Sequence, residues 1–236
     1  MKQHERQQEI LNLLRVRKEV KVAELTQLMD VSEGTIRNDL DYLNNTNQVV
    51  RVRGGATLAN TYQIANQNFG ARARLQAGNK QRIARWAADM VKDGEAIFLD
   101  ASTTAFFMSN YLRGHRNLTI VTCGIEVAMA MAENPSCTVI LVGGVIRQGS
   151  AATSGQLAER ALEGLHIRTA FVSCGGFTLK TGMTDADIQM AQVTRRAVES
   201  AEQVIGLIES SKFGRVQVSS FASLEQITHI LTDRDL

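Results

Sequence analysis

Proline, aromatic residues and cysteine are all scarce in this chain of 236 residues, which has one proline, one tryptophan, three tyrosines and three cysteines. The cysteines (Cys123, Cys137 and Cys174) form no CxxC pair and are odd in number, which argues against a disulfide framework and suits reduced thiols. His4, His115, His166 and His229 stand far apart, so no metal site is expected. No apolar run approaches the roughly 18 residues that span a bilayer. The opening MKQHERQQEI lacks the apolar core of a secretory signal, so a cytoplasmic protein without membrane contact is expected. A G-x-G-x-x-G fingerprint is missing, as are a fixed-period repeat and any low-complexity segment; no dinucleotide or other cofactor is implied.

What is present is an ordinary folded composition, 44% hydrophobic and 21% charged, with a length that suits a small domain joined to a larger one. The net charge of +2 conceals an uneven distribution. Residues 61–85 hold five basic side chains (Arg72, Arg74, Lys80, Arg82, Arg85) and no acidic one, whereas residues 86–236 hold twelve basic and sixteen acidic. A basic surplus towards the N-terminus agrees with a nucleic-acid-binding head on an acidic body.

Apolar residues at helical spacing mark a first helix over Glu5–Val16 (Ile10, Leu11, Leu13, Leu14) and a second around Val22, Leu25, Leu28 and Met29. In SEGTIRNDLDYL, Ser32 is a good N-cap and Ile36, Leu40 and Leu43 share a stripe, which predicts a third helix. VVRVRGGATL then alternates like a hairpin around Gly54-Gly55. Three helices and a hairpin describe a winged helix-turn-helix over residues 1–58. Its third helix would enter the major groove and expose Ser32, Glu33, Thr35, Arg37 and Asn38. Arg37 and Asn38 suit base edges, Ser32 and Thr35 suit phosphates, and Arg51 and Arg53 face outward on the wing. The blander reading of the same helix is a solvated, capped surface helix.

Residues 59–75, rich in Asn, Gln and Ala, read as a linker. From residue 76 to 236 short apolar runs alternate with helical segments: AIFL (96–99), LTIV (118–121), CTVILV (137–142), TAFVSC (169–174), VIGLI (204–208) and ITHIL (227–231). That alternation predicts an α/β domain with a mostly parallel sheet covered by helices on both faces. After AIFL comes Asp100-Ala101-Ser102-Thr103-Thr104, hydroxyl-rich residues at a helix start, which suit either an anion cradle or a plain helix cap. Thr122, Gly143-Gly144, Gly175-Gly176 and Lys212 follow other strands and would lie at the same end of the sheet.

These motifs resemble the DeoR family of bacterial transcriptional regulators over nearly the whole chain. The resemblance is carried by V-x-V-x-E-L (20–25), V-S-E-x-T-I-R-x-D-L (31–40) and R-x-x-G-G-A (51–56) in the head. In the body it is carried by F-x-x-R (69–72), Lys80, DASTT, Gly143-Gly144, the Gly pair at 175–176 and SKFG (211–214). It departs from the family pattern at Asn38, Arg53, Ala101, Cys123 and Glu209. The resemblance implies a sensor domain similar in fold to ribose-5-phosphate isomerase that binds a phosphorylated sugar. Asp100, Ser102, Thr103 and Thr104 would hold this effector, with the hydroxyls on phosphate and Asp100 on a sugar hydroxyl or positioning the loop. Thr122, Gly144, Gly175 and Lys212 would complete the site. The function so implied is a non-enzymatic repressor of a carbohydrate operon that binds double-stranded operator DNA as a homo-oligomer. The alternative is a phosphosugar isomerase with a helical N-terminal extension.

Overall fold

The computed structural model describes residues 3–17, 19–45, 48–58, 69–146 and 151–233. They fall into two compact units, Met1–Gln67 with Arg74–Gln76, and Asn68–Ala73 with Ala77–Leu236.

The first unit contains α1 (Gln3–Val16), β1 (Glu19–Lys21), α2 (Val22–Met29), α3 (Glu33–Asn45), β2 (Val49–Val52) and β3 (Gly55–Leu58). Ile10, Leu14, Leu25, Ile36, Leu40 and Leu43 are fully buried and form one core, while Leu28 on the same helix as Leu25 is exposed. α2 stops at Asp30, which adopts a left-handed φ of 50°, a conformation Asp tolerates better than bulkier residues. Ser32 then caps α3, its Oγ accepting the Thr35 N–H at 3.2 Å. The wing has three strands in the order β1-β3-β2 rather than the expected two, because Glu19–Lys21 pair with Gly55–Thr57. Three residues with one buried side chain, Val20, carry no periodic signal. Gly55 permits the pairing, since a Cβ there would stand 2.1 Å from the Val20 carbonyl oxygen.

The second unit begins with α4 (Phe69–Arg74), all but its last residue, and α5 (Ala77–Ala88), then alternates β4 (Ala96–Leu99), α6 (Thr103–Leu112), β5 (Leu118–Thr122), α7 (Ile125–Ala132) and β6 (Cys137–Leu141). After the small pair β7 (Val145–Ile146) and β8 (Thr153–Ser154) come α8 (Gln156–Ala161) and β9 (Ile167–Val172). Next are β10 (Gly176–Thr178), β11 (Gly182–Asp185), α9 (Ile188–Glu199) and β12 (Ala201–Leu207). The chain ends in β13 (Ser219–Ala222) and β14 (His229–Leu231). The six strands predicted from apolar runs form one parallel sheet in the order β14-β12-β9-β4-β5-β6. Alternate residues serve its two faces: Ile97 and Leu99 pack with α5, α6 and α7, whereas Phe98 packs with α8 and α9.

Where the sequence reading extends the linker to residue 75, the structure forms α4 instead. Phe69 stands edge-on to Phe106 with centroids 5.3 Å apart, and Lys80 Nζ donates to the Arg72 carbonyl at 2.7 Å. Six residues are too few to display helical periodicity. The rest of that segment, 59–68, lies outside the described residues. Among the described residues no helix is long and apolar enough to cross a membrane.

Candidate functional site

The connections leave neighbouring strands β4 and β9 in opposite directions, β4 leading to β5 and β6, β9 to β12 and β14. Loops at their carboxyl ends therefore diverge and leave a crevice, the place where ligands of such sheets gather. Asp100 braces this point: its Oδ1 accepts the Ser102 N–H at 2.9 Å and its Oδ2 accepts the Ser173 N–H at 2.6 Å, tying the two strand ends together. Burial pushes the Asp100 carboxyl above the ordinary carboxylate range, against the pull of those hydrogen bonds.

From Asp100 the chain turns into α6. Ser102 Oγ caps that helix by accepting the Ala105 N–H at 3.1 Å. Thr103 and Thr104 are buried in its first turn, and Thr104 Oγ1 hydrogen-bonds to nothing among the described residues. The β5–α7 turn closes the neighbouring side. Thr122 Oγ1 accepts the Gly124 N–H at 2.9 Å, and a Cβ on Gly124 would lie 3.0 Å from Ala101 Cα, so glycine is what allows this close approach. Between them Cys123 is buried, its thiol pushed up to about 12 by burial and the nearby Asp100, which makes it inert.

Cations converge on the same point from elements distant in sequence. Lys212, in a turn after β12, donates to Ser173 Oγ at 2.9 Å and lies 3.5 Å from Glu209 Oε1. Lys80 of α5 approaches the same Glu209 oxygen at 3.8 Å. Burial lowers Lys80 to about 8, with Glu209 opposing that shift. Arg72 of α4 is likewise lowered by burial and sustained by Asp185 and Asp100, and its buried Nε has no hydrogen-bond partner among the described residues. Burial raises Asp185 as well. Arg72, Lys80 and Lys212 thus gather with the carboxyls of Asp100, Asp185 and Glu209, beside a Thr104 hydroxyl and an Arg72 Nε–H that have no hydrogen-bond partner among the described residues. This chemistry fits a small anion with hydroxyl groups.

Of the residues expected here, Asp100, Ser102, Thr103, Thr104, Thr122 and Lys212 lie on the loops just described. Gly144 and Gly175 have packing reasons of their own. Gly144, at φ 142°, presses against β8, where a Cβ would meet the Ser154 carbonyl oxygen at 2.6 Å. Gly175 faces Gln217, whose Cγ would lie 3.0 Å from an added Cβ. Arg72, Lys80, Ser173, Asp185 and Glu209 were not among the expected ligands. The basic run without acids at 61–85 was the available signal for the first two, since their acidic counterparts come from much later in the chain.

In the first unit Ser32, Glu33, Arg37 and Asn38 are exposed along one side of α3, with Thr35 half-buried among them. Arg37 pairs with Glu33 at 3.0 Å one turn away, a contact that an exposed arginine gives up easily to a phosphate or base. Tyr42, also on α3, is 51% exposed and extends this surface. Arg51 departs from its expected outward course. It bonds Asp41 at 2.6 Å and the Arg37 carbonyl at 3.2 Å, so it braces β2 against α3. Arg53, at the β2–β3 turn, is exposed as expected.

Residues 6–62 match the DeoR-like helix-turn-helix domain and residues 75–234 the DeoR C terminal sensor domain. The HTH-type transcriptional regulator GolR of Listeria innocua is 34% identical over 98% of this chain and 91% of that protein. The HTH-type transcriptional repressor GlcR of Bacillus subtilis is 30% identical over 99% of this chain and 90% of its own length. The L-fucose operon activator of Haemophilus influenzae is 33% identical over 91% of this chain and 86% of that protein. Among solved structures, ribose 5 phosphate isomerase A from Neisseria gonorrhoeae aligns over 57% of this chain and 52% of that one, at 14% identity and a TM-score of 0.43.

Proposed function

The chain belongs to the DeoR family of DNA-binding transcriptional regulators, and from that premise we propose that it is a repressor of a carbohydrate operon whose operator affinity is set by a phosphorylated sugar. The observation that carries the effector reading is the crevice between β4 and β9, where the N-terminus of α6 and the cations Arg72, Lys80 and Lys212 meet. A phosphate suits Thr104 and the α6 amides, which present free donors and the positive helix end. Asp100 acts by positioning, because both its oxygens already accept backbone N–H groups. The alternative, an isomerase, needs a free general base. The engagement of Asp100 and the acceptance of the Asp187 N–H by Asp185 at 2.9 Å favour binding without turnover.

Exposed Ser32, Glu33, Arg37 and Asn38, with Arg53 at the wing tip, supply the operator contacts, and the protein works in the cytoplasm where its DNA lies. A thermal-shift screen of the full chain against pentose and hexose phosphates tests the effector reading. A ligand at one hundred times its Kd adds about 2.7 kcal/mol of stability, which raises the melting temperature by several degrees. Turnover of any of these compounds overturns the non-enzymatic assignment, and failure of all of them, with inorganic phosphate also silent, overturns the effector class.

A further inference from the structure

We propose that the free edge of β6 is the seat of a two-fold interface with a second copy of this chain, formed by antiparallel pairing of β6 with its own counterpart. Among the described residues the six-stranded sheet ends at β6 on one side and at β14 on the other. From Ser136 to Ile146 the chain reads SCTVILVGGVI, eleven residues with no ionisable group other than the Cys137 thiol and no proline. The pairing with β5 runs from Leu118↔Cys137 to Thr122↔Leu141 without a bulge. Within Ser136–Ile146 there is no charged side chain, no proline and no bulge in the pairing with β5, three of the devices that protect a free strand edge. The surface around it is apolar as well: Ile140 is 36% exposed, Leu141 44%, and Val145 and Ile146 58% each.

The backbone shows which groups are free. Val142 donates its N–H to the Thr122 carbonyl at 2.9 Å, so the even-numbered residues of β6 direct their amide and carbonyl groups towards β5. Val139 and Leu141 therefore direct theirs outward. A two-fold axis beside Val139 would let its N–H and C=O bond those of the other copy, with Thr138 opposite Ile140 of that copy. The occupant follows from charge and symmetry. A strand without ionic side chains brings no like charges together when it meets itself. Pairing β6 with the β14 edge of another copy is heterologous and leaves free edges that propagate into filaments, whereas pairing β6 with itself covers both edges and closes. The inference rests on the operator-binding reading only for its purpose, since a small winged head gains specificity by reading two half-sites.

The test is sedimentation equilibrium of the full chain beside two edge variants and one control. Ile140→Lys places a charge at the pairing surface. Val139→Pro removes an outward N–H that the β5 ladder does not use. Leu179→Lys, at a residue 76% exposed in the β10–β11 turn, is the control. The expected result is a wild-type mass that is an even multiple of the chain mass, halved or lower in both edge variants and unchanged in the control, with circular dichroism unaltered in all. A monomeric wild type overturns the proposal, as does an assembly that survives both edge substitutions in folded protein. Operator binding by the wild type is measured separately, so loss of sequence preference sinks the regulatory reading while leaving the mass result to judge the interface.

Discussion

At the scale of single residues, Lys80 is the group whose chemistry is most exposed to experiment. Its ammonium is buried on the Arg72 carbonyl and near Glu209, and burial brings it to about 8 from an ordinary 10.5. A depressed lysine contributes stability that is present above 10.5 and lost as pH falls through about 8, because below that value the folded chain must hold the charge out of water. A bound dianion favours the charged form, so affinity for a phosphorylated effector should fall as pH rises from 7 to 9, by up to about tenfold per unit above the midpoint. Calorimetric titrations across that range check the slope, and Lys80→Arg, which keeps its charge, should flatten it. Asp100 illustrates the opposite case, a carboxyl whose value lies in the two backbone amides it holds and not in its charge.

Among the elements, α3 is the one whose placement depends on a buried ion pair. Asp39, 1% exposed on its inward side, accepts Arg6 Nε and the Gln7 amide at 3.1 Å from α1. Replacing it by alanine leaves the Arg6 guanidinium buried without its carboxylate, a loss of about 3–5 kcal/mol. Asp39→Ala should therefore unfold the first unit at lower urea than the second and abolish operator binding, while phosphate-ligand binding by the second unit persists. Two-probe urea titration, with a mobility-shift assay on operator DNA, measures both. α4 is a contrasting element: six residues of which none is fully buried, Arg72 among the half-buried ones, held by the Phe69–Phe106 stack and by Lys80. It carries Arg72 to the candidate site beside Asp100 and Asp185.

For the whole molecule, regulation requires that the effector distinguish a DNA-bound form from a free one, and the coupling must be reciprocal. If the effector weakens operator affinity by some factor, commonly about 5–150-fold, the operator must weaken effector affinity by the same factor. Titrating the effector with and without a saturating operator duplex measures this directly. Equal affinities in the two titrations would separate sensing from DNA binding.

The head and the strands of the body were legible along the chain because their signals are local. A capped, striped helix and a Gly-Gly turn need only a few neighbouring residues, and six apolar runs between helices already imply a parallel sheet. The hydroxyl loop at 100–104 was legible for the same reason, and Lys212 through resemblance. What the chain order does not contain is the reversal between β4 and β9, which brings Ser173 to Asp100 across 73 positions and sets Arg72 and Lys80 beside Asp185 and Glu209. Likewise β1 and the bracing turn of Arg51 depend on partners that only packing supplies. Local periodicity therefore decides which elements form, whereas the cluster of Arg72, Lys80 and Lys212 with Asp100, Asp185 and Glu209 exists only once strand order and burial have brought charges of remote origin within a few ångströms.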